Sequence, residues 1–223
     1  MDGYRRTYQE FLYSFRTIER LYKEDGRRKL PESVVPLRIE IDSFFSYVRE
    51  EFTSGDSYLE SEKLSGGSLE SNVREKIRSW HQTEWSYLHN KIPENYARII
   101  EVLGTEEKLK SSSFEEIVDA LTVCHAFHEQ LRFFKGGLPT VRKAFTADNS
   151  ETRVKSSLSH LLFGSGDFVT RMGECIFDPN FSLHHFGRSC VQELYGWINT
   201  EAPVCNGRTV KALRYLGFDV VVF

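Results

Sequence analysis

A cysteine, two histidines and a glutamate stand within six residues of one another near the middle of the chain. Cys124, His125, His128 and Glu129 form the string CHAFHE. If this stretch is helical, offsets of three and four residues bring such side chains to one face. Two ligands on one face can begin a zinc site, but structural zinc takes four ligands and catalytic zinc takes three and a water. A metal-dependent enzyme using the His125 and His128 face therefore needs ligands from elsewhere, and we assign no metal site from this pattern.

Positive charge is concentrated between residues 132 and 155. This range holds six basic and two acidic residues, although the formal charge of the whole chain is −3. A folded surface that collects these cations would attract the phosphate backbone of nucleic acid, with a strong dependence on salt. Runs of charge more often form solvated faces, which is the alternative. Within this range we take Arg142 and Lys143 as candidate nucleic-acid contacts.

The glycine-rich strings at 135–138 and 163–167 do not form a phosphate-binding loop. Such a loop requires G-x-x-x-x-G-K-[ST], in which the lysine and the hydroxyl residue bind phosphate and Mg²⁺. The chain contains no such motif. We therefore interpret both strings as connections between helices, and we expect no ATPase activity from this chain and no bound cofactor.

Apolar residues recur at spacings of three and four along most of the chain, which predicts helices. The pattern gives a helix from Tyr4 to Tyr22 that stops at Asp25-Gly26, a second helix after Pro36, and a third with apolar positions from Val73 to Leu88. Pro93 fits the first turn of the next helix. These elements predict an all-α fold, an irregular bundle of eight to ten helices.

The second half of the chain continues the helical pattern. Ser113 and Glu116 have the spacing of a capping box, so a long helix is expected from there to about Phe134. Three shorter helices are predicted at 138–145, 152–163 and 168–177. The last residues, 218–223, are β-branched and aromatic and look like a strand. A tail of this length cannot form a sheet alone, so it either packs on the helices or pairs with a strand elsewhere.

Residues 61–71 interrupt the helical pattern with serine and glycine. Such a composition is typical of a flexible connection. We therefore predict an N-terminal helical portion at 1–60, a flexible connection at 61–71, and a helical domain at 72–223.

The composition is that of a folded protein. Hydrophobic residues make up 40% of the chain and charged residues 27%, which is enough to form a core. No apolar run approaches the roughly 18 residues that suggest a membrane span, and the start of the chain lacks the apolar stretch of a signal peptide. The four cysteines have no CxxC spacing, so we expect reduced thiols in a cytoplasmic protein.

Two strings near the C-terminus resemble a known family. LHHFGRS, residues 183–189, leads into an apolar helix at 191–198 and resembles a helix-hairpin-helix element. PVCNGRTVKALRYLG, residues 203–217, is similar to the segment that follows the hairpin in base-excision DNA glycosylases of that superfamily. The resemblance implies a turn whose amides and following helix N-terminus face a DNA phosphate. The candidate nucleic-acid contacts that it gives are Gly187, Arg188, Gly207, Arg208, Lys211 and Arg214. The alternative is that the two glycines are ordinary helix stops and that the cations form a solvated face.

The resemblance does not extend to the catalytic residues of the glycosylases. Their catalytic aspartate position is occupied by Asn206, whose amide cannot act as a general base. The lysine position of bifunctional members is Ser189, and the first hairpin glycine is His185. What the resemblance implies is a non-catalytic DNA-binding hairpin, and we assign no catalytic residue.

A broader resemblance concerns the strings PLRIEIDSFFSYVREEF, HAFHEQLRFFKGGL, FGRSCVQELYGWIN and NGRTVKALRYLGFDV. They resemble the helical region on the N-terminal side of McrB-type restriction ATPases from prokaryotic defence loci. Because this chain has no phosphate-binding loop, the resemblance implies that it acts beside a larger protein such as an ATPase or a nuclease.

From these observations we predict a non-catalytic DNA-binding or adaptor subunit of a prokaryotic defence or DNA-processing assembly. DNA is the expected partner, and no membrane contact is expected. The alternatives are a protein–protein interaction module without a nucleic-acid role, and a metal-dependent enzyme that uses the His125 and His128 face.

Overall fold

The computed structural model describes residues 2–53, 63–129 and 134–221. Within these ranges the chain forms thirteen helices and no strand, so the predicted all-α bundle is confirmed, with more helices than the eight to ten expected. In chain order the helices are α1 (Asp2–Asp25), α2 (Leu37–Phe52), α3 (Leu69–Gln82), α4 (Ser86–Asn90), α5 (Ile92–Leu103), α6 (Glu106–Ser111), α7 (Phe114–Leu121), α8 (His125–His128), α9 (Leu138–Asp148), α10 (Glu151–Phe163), α11 (Phe168–Phe177), α12 (Arg188–Ile198) and α13 (Gly207–Leu216).

Two predicted helices are each divided in the structure. The helix expected from residue 114 to 134 ends at Leu121, and α8 starts after Cys124, whose backbone is extended. The remainder of that prediction, residues 130–133, lies outside the described part of the chain. The helix expected over residues 73–88 is broken at Thr83, where the backbone is also extended. In both places the apolar spacing continued across a break in the backbone, so periodicity alone did not reveal it.

The predicted start of α7 is confirmed in atomic detail. The Ser113 hydroxyl accepts a hydrogen bond from the Glu116 amide, and the Glu116 carboxylate accepts one from the Ser113 amide at 2.7 Å. This reciprocal arrangement satisfies amides that a helix start leaves without partners. It also holds the pKa of the Glu116 carboxyl below its usual value, because the ionised form accepts these bonds.

The chain divides into two compact units, and each is built from separate stretches of sequence. Unit 1 comprises Met1–Arg5 and Asn95–Ala202, and unit 2 comprises Arg6–Glu94 and Pro203–Phe223. The flexible connection predicted at 61–71 lies within the range of unit 2, and its flexibility stays a prediction. Contacts between distant parts of the sequence define the two units, which is why local composition did not indicate them.

Unit 2 is organised around α2, whose residues from Arg38 to Val48 are all buried. Trp80 of α3 is fully buried beside it, with its ring centroid 6.2 Å from that of Phe44, and the Trp80 indole N–H donates to the Tyr22 hydroxyl at 2.7 Å. The apolar contacts stabilise the core, and the hydrogen bond satisfies the polar end of each large ring. The Tyr22 hydroxyl and the Trp80 indole N–H are tolerated in this core because they are hydrogen-bonded.

His81, at the end of α3, gives unit 2 a dependence on pH. Its side chain is 5% exposed, its ring contacts that of Tyr22, and Nε2 lies 3.5 Å from Asp25 Oδ2. Burial lowers the pKa of His81 below 6.5, although the Asp25 carboxylate opposes this shift. The unfolded chain therefore binds the proton more readily than the folded chain does. The stability that His81 contributes is present above about pH 6.5 and is lost as the pH falls below that value.

We expect the parent protein to lose stability between pH 7.5 and pH 5.5, and His81→Phe, which keeps a ring against Tyr22, to lose less. Urea denaturation at the two pH values measures the difference. Equal pH dependence in the parent and the variant would show that His81 is not the responsible group.

Unit 1 has α12 near its centre, with residues from Cys190 to Trp197 buried. Arg171 of α11 is also buried, and its guanidinium donates to the Leu161 carbonyl, the Gly166 carbonyl and the Tyr195 hydroxyl. These bonds tie the loop between α10 and α11 to α12. The buried charge of Arg171 is tolerated because each of its three guanidinium nitrogens donates a hydrogen bond.

The state of the cysteines and the composition of the helices bear on two predictions from the sequence, reduced thiols and no membrane span. All four cysteines are buried thiols that form no disulfide, and burial raises the pKa of Cys175 to about 12. Such a thiol is a weak nucleophile at neutral pH. Among the described helices, none combines the length and the apolar composition that a bilayer crossing requires.

Candidate nucleic-acid interface

The helix α13 is defined by a cap at each end. The Asn206 side-chain oxygen accepts hydrogen bonds from the Arg208 amide at 3.0 Å and the Thr209 amide at 3.2 Å, which satisfies the start of the helix. Gly217 ends the helix in the left-handed conformation with φ 106°, which favours glycine. Asn206, at the position that the resemblance relates to a catalytic aspartate, therefore has a structural role.

One face of α13 packs on unit 2 and the other carries its cations. Val210, Leu213 and Leu216 are almost completely buried. Because successive helical residues are about 100° apart, residues at offsets of three and four share a side of the helix. The half-exposed side of α13 carries Gly207, Arg208, Lys211 and Arg214. We call these four residues the α13 stripe.

The stripe is anchored to α2. Arg208 Nη2 lies 3.6 Å from Asp42 Oδ2 near the start of both helices, and the rings of Phe52 and Tyr215 stack with centroids 5.7 Å apart near their ends. The two helices therefore run in the same direction. Asp42 is 5% exposed, so the nearby Arg208 cation offsets part of the cost of burying this carboxylate. Arg208 is thus paired with a carboxylate.

The segment that resembles a hairpin lies in unit 1, where ten residues, 178–187, connect α11 to α12. Asn149 holds it: its side-chain amide donates to the His184 carbonyl at 3.0 Å and its oxygen accepts from the His184 amide at 2.9 Å. His185 adopts a positive φ of 60°, and its Nε2 lies 2.7 Å from Asp148 Oδ2. The turn is therefore fixed by side chains from the end of α9.

Gly187 is exposed and precedes the first residue of α12, and a Cβ atom there would meet no other atom within 4 Å. Arg188 is half-buried. Its guanidinium carbon lies 5.7 Å from the Tyr4 ring centroid and 5.5 Å from the Phe177 ring centroid, which is cation–π geometry. Arg188 therefore has a packing role against these two rings.

The two candidates from the basic segment have different surroundings. Arg142, on α9, forms an ion pair with Asp119 of α7, whereas the adjacent Lys143 is exposed. Arg132, which also belongs to the predicted basic segment, lies outside the described residues.

The structure brings the α13 stripe together on one helix face. Gly187, Arg188, Arg142 and Lys143 belong to unit 1, whereas the stripe belongs to unit 2. We therefore treat the stripe by itself as the candidate interface. The other four residues stay predictions that rest on the sequence.

The histidine face considered for metal chemistry is tied to the start of α8. His125 Nε2 lies 3.2 Å from Glu129 Oε1, and the backbone amides of His125 and Ala126 both donate to the Glu193 carboxylate. In the part of the chain that the structure describes, no group of three or more His, Cys, Asp or Glu side chains is arranged to hold a metal ion. The required additional ligands are therefore not assembled around His125 and His128 by the described residues.

Sequence reasoning missed the partners that place these residues. Asp42 lies in a stretch assigned only to a helix, and Glu193 lies in one described as apolar. In both cases a charged residue within an otherwise apolar helix was the available signal, because a buried charge requires a partner. The identity of that partner depends on the tertiary fold.

No family model matches the chain, and neither a curated protein nor a solved structure shows significant similarity to it.

Proposed function

We propose that this protein is a non-catalytic DNA-binding or adaptor subunit that contacts phosphate groups through the α13 stripe. The observation that supports this is the occurrence of Arg208, Lys211 and Arg214 on the partly exposed face of one capped helix. Arginine and lysine neutralise phosphates and release bound counterions, which supplies affinity without sequence information. The proposed binding is therefore sensitive to salt and largely independent of base sequence.

The start of α13 contributes little to this contact. Two of its first amides already donate to the Asn206 side chain. A phosphate at this helix start would have to compete with that bond. Side chains along the helix, rather than backbone amides at its end, are the expected contacts.

We expect Lys211→Glu combined with Arg214→Glu to abolish most of the DNA affinity. Arg208 is left unchanged, because its removal would leave the buried Asp42 without this partner. Fluorescence anisotropy with a labelled duplex measures the dissociation constant. If three phosphates are contacted, raising the salt from about 50 to about 200 mM should weaken parent binding roughly 40-fold. In the double variant, which keeps one contact, the same rise in salt should weaken binding only about fourfold.

The matched control is Arg16→Glu combined with Lys23→Glu. Both residues are exposed on α1, they belong to the same unit, and their replacement changes the net charge by the same amount. Circular dichroism verifies that both double variants are folded. Equal loss of affinity in the two would indicate an effect of net charge, and no loss in the α13 variant would show that the stripe is not the interface.

The place of the protein in a prokaryotic defence or DNA-processing assembly is a further part of the proposal. It is supported by the resemblance to McrB-type ATPase regions and by the lack of a phosphate-binding loop in this sequence. In that setting a separate ATPase or nuclease supplies the chemistry.

A further inference from the structure

The segment that follows α13 shows the burial pattern of a strand. Phe218 and Val220 are 7% and 4% exposed, Asp219 is exposed, and Val221 is 57% exposed. Residues 218–221 contain no helix, turn or bend. Alternation with a period of two is typical of an extended chain with one face packed on a core. The segment therefore packs on unit 2, which is one of the two alternatives predicted for the strand-like tail.

The backbone of this segment has one edge occupied and one edge unpaired. The Phe218 amide donates to the Leu213 carbonyl at 3.0 Å, so this edge faces α13. In an extended chain, residues 219 and 221 direct their amide and carbonyl groups to the opposite edge. Those groups make no hydrogen bond within the described residues. An unpaired edge of this kind is a template for another extended chain.

A groove runs beside the segment within unit 2. Its volume is about 510 Å³, with Phe218 and Asp219 on one side and residues of α1, including Arg6 and Tyr13, on the other. Tyr13 is 75% exposed. Tyr13 and Val221 are two of the few large apolar side chains that the described residues expose, and both belong to this region. Exposed aromatic and branched side chains beside a groove are candidates for burial in an interface.

We propose that residues 218–221 pair in antiparallel fashion with the same segment of a second copy of this chain. Pairing centred on Val220 sets Asp219 opposite Val221 of the other copy. The two carboxylates then do not face each other, and each amide of residues 219 and 221 meets a carbonyl. The exposed Arg6 on the wall of the groove has the charge to attract Asp219 of the second copy.

A second copy fits this surface because the contact is self-complementary. A two-fold interface uses the same patch on both subunits, so one segment supplies both strands. The alternating apolar residues that pack on unit 2 hold the segment extended before pairing, which reduces the entropy lost on association. The inference is independent of DNA binding, since it uses no residue of the α13 stripe.

Sedimentation velocity over a range of protein concentrations tests the pairing. We expect a species of twice the 25.9 kDa chain mass at high concentration. Val221→Pro removes an amide of the unpaired edge and should raise the dissociation constant about tenfold or more. Val221→Thr, a β-branched residue that keeps the amide, is the matched control and should dimerise like the parent. A monomer at all concentrations would overturn the inference.

Hydrogen exchange distinguishes this interface from another one. In the parent protein, the amides of residues 219 and 221 should exchange more slowly at high than at low concentration, because pairing protects them. A dimer in which these amides exchange equally fast at both concentrations would mean that a different surface is used. That result would refute the proposal even though the mass had doubled.

Discussion

Replacement of Glu40 by alanine should lower the free energy of unfolding of unit 2 by about 3–5 kcal/mol. Glu40 lies on α2 with none of its surface exposed. Its carboxylate accepts from the Tyr22 hydroxyl at 2.6 Å, the Lys29 and Leu30 amides at 2.9 and 3.1 Å, and the Arg28 guanidinium at 3.3 Å. Alanine would leave all of these donors without this acceptor and would also create a cavity.

The same carboxylate joins α1, the following loop and α2. Burial, together with the nearby Glu40 charge, raises the pKa of Tyr22, so the phenol stays protonated and donates. Trp80 donates to the same phenol oxygen, so the network continues into α3. Loss of Glu40 therefore removes a connection shared by several elements, and the effect should exceed that of a single hydrogen bond.

Urea denaturation followed by tryptophan fluorescence measures this effect. Of the three tryptophans, Trp80 and Trp85 belong to unit 2 and Trp197 to unit 1, so a Trp197→Phe background reports unit 2. Glu40→Gln, which keeps the size and one acceptor oxygen, should fall between the parent and Glu40→Ala. A Glu40→Ala midpoint equal to that of the parent would contradict the role assigned to the network.

Local patterns predicted most of the helices because they depend on neighbouring residues. The apolar spacing before Asp25-Gly26 gave α1, and the Ser113 and Glu116 pair gave the start of α7. Both signals concern contacts within a few residues along the chain. The same spacing joined α3 to α4, since Trp85 and Leu88 continue the apolar pattern past the extended backbone at Thr83.

The candidate site was only partly accessible to the same reasoning. The positions of Lys211 and Arg214 on one face of α13 follow from their spacing. The pairing of Arg208 with Asp42, by contrast, joins residues that are far apart in the sequence and meet only because α13 packs on α2. The division of the chain into two discontinuous units has the same origin. These contacts form only through long-range packing, and no local sequence pattern predicts them.

Glu193 in unit 1 provides a second large effect. It lies on α12, is 1% exposed, and accepts from the backbone amides of His125 at 2.6 Å and Ala126 at 2.8 Å. The side chain of Cys124, the residue before α8, makes no capping bond. A carboxylate from a distant helix thus supplies the cap for α8, and its charge is favourable at a helix start.

We expect Glu193→Ala to lower the free energy of unfolding of unit 1 by about 3 kcal/mol, because the buried amide of Ala126 and the part-buried amide of His125 lose a charged acceptor. In Glu193→Ala, native-state hydrogen exchange should accelerate more at the amides of His125 and Ala126 than at the other amides of unit 1. Glu193→Gln keeps one acceptor oxygen and should give an intermediate loss. If both amides stay as protected in Glu193→Ala as in the parent, α8 is held by its packing rather than by this carboxylate.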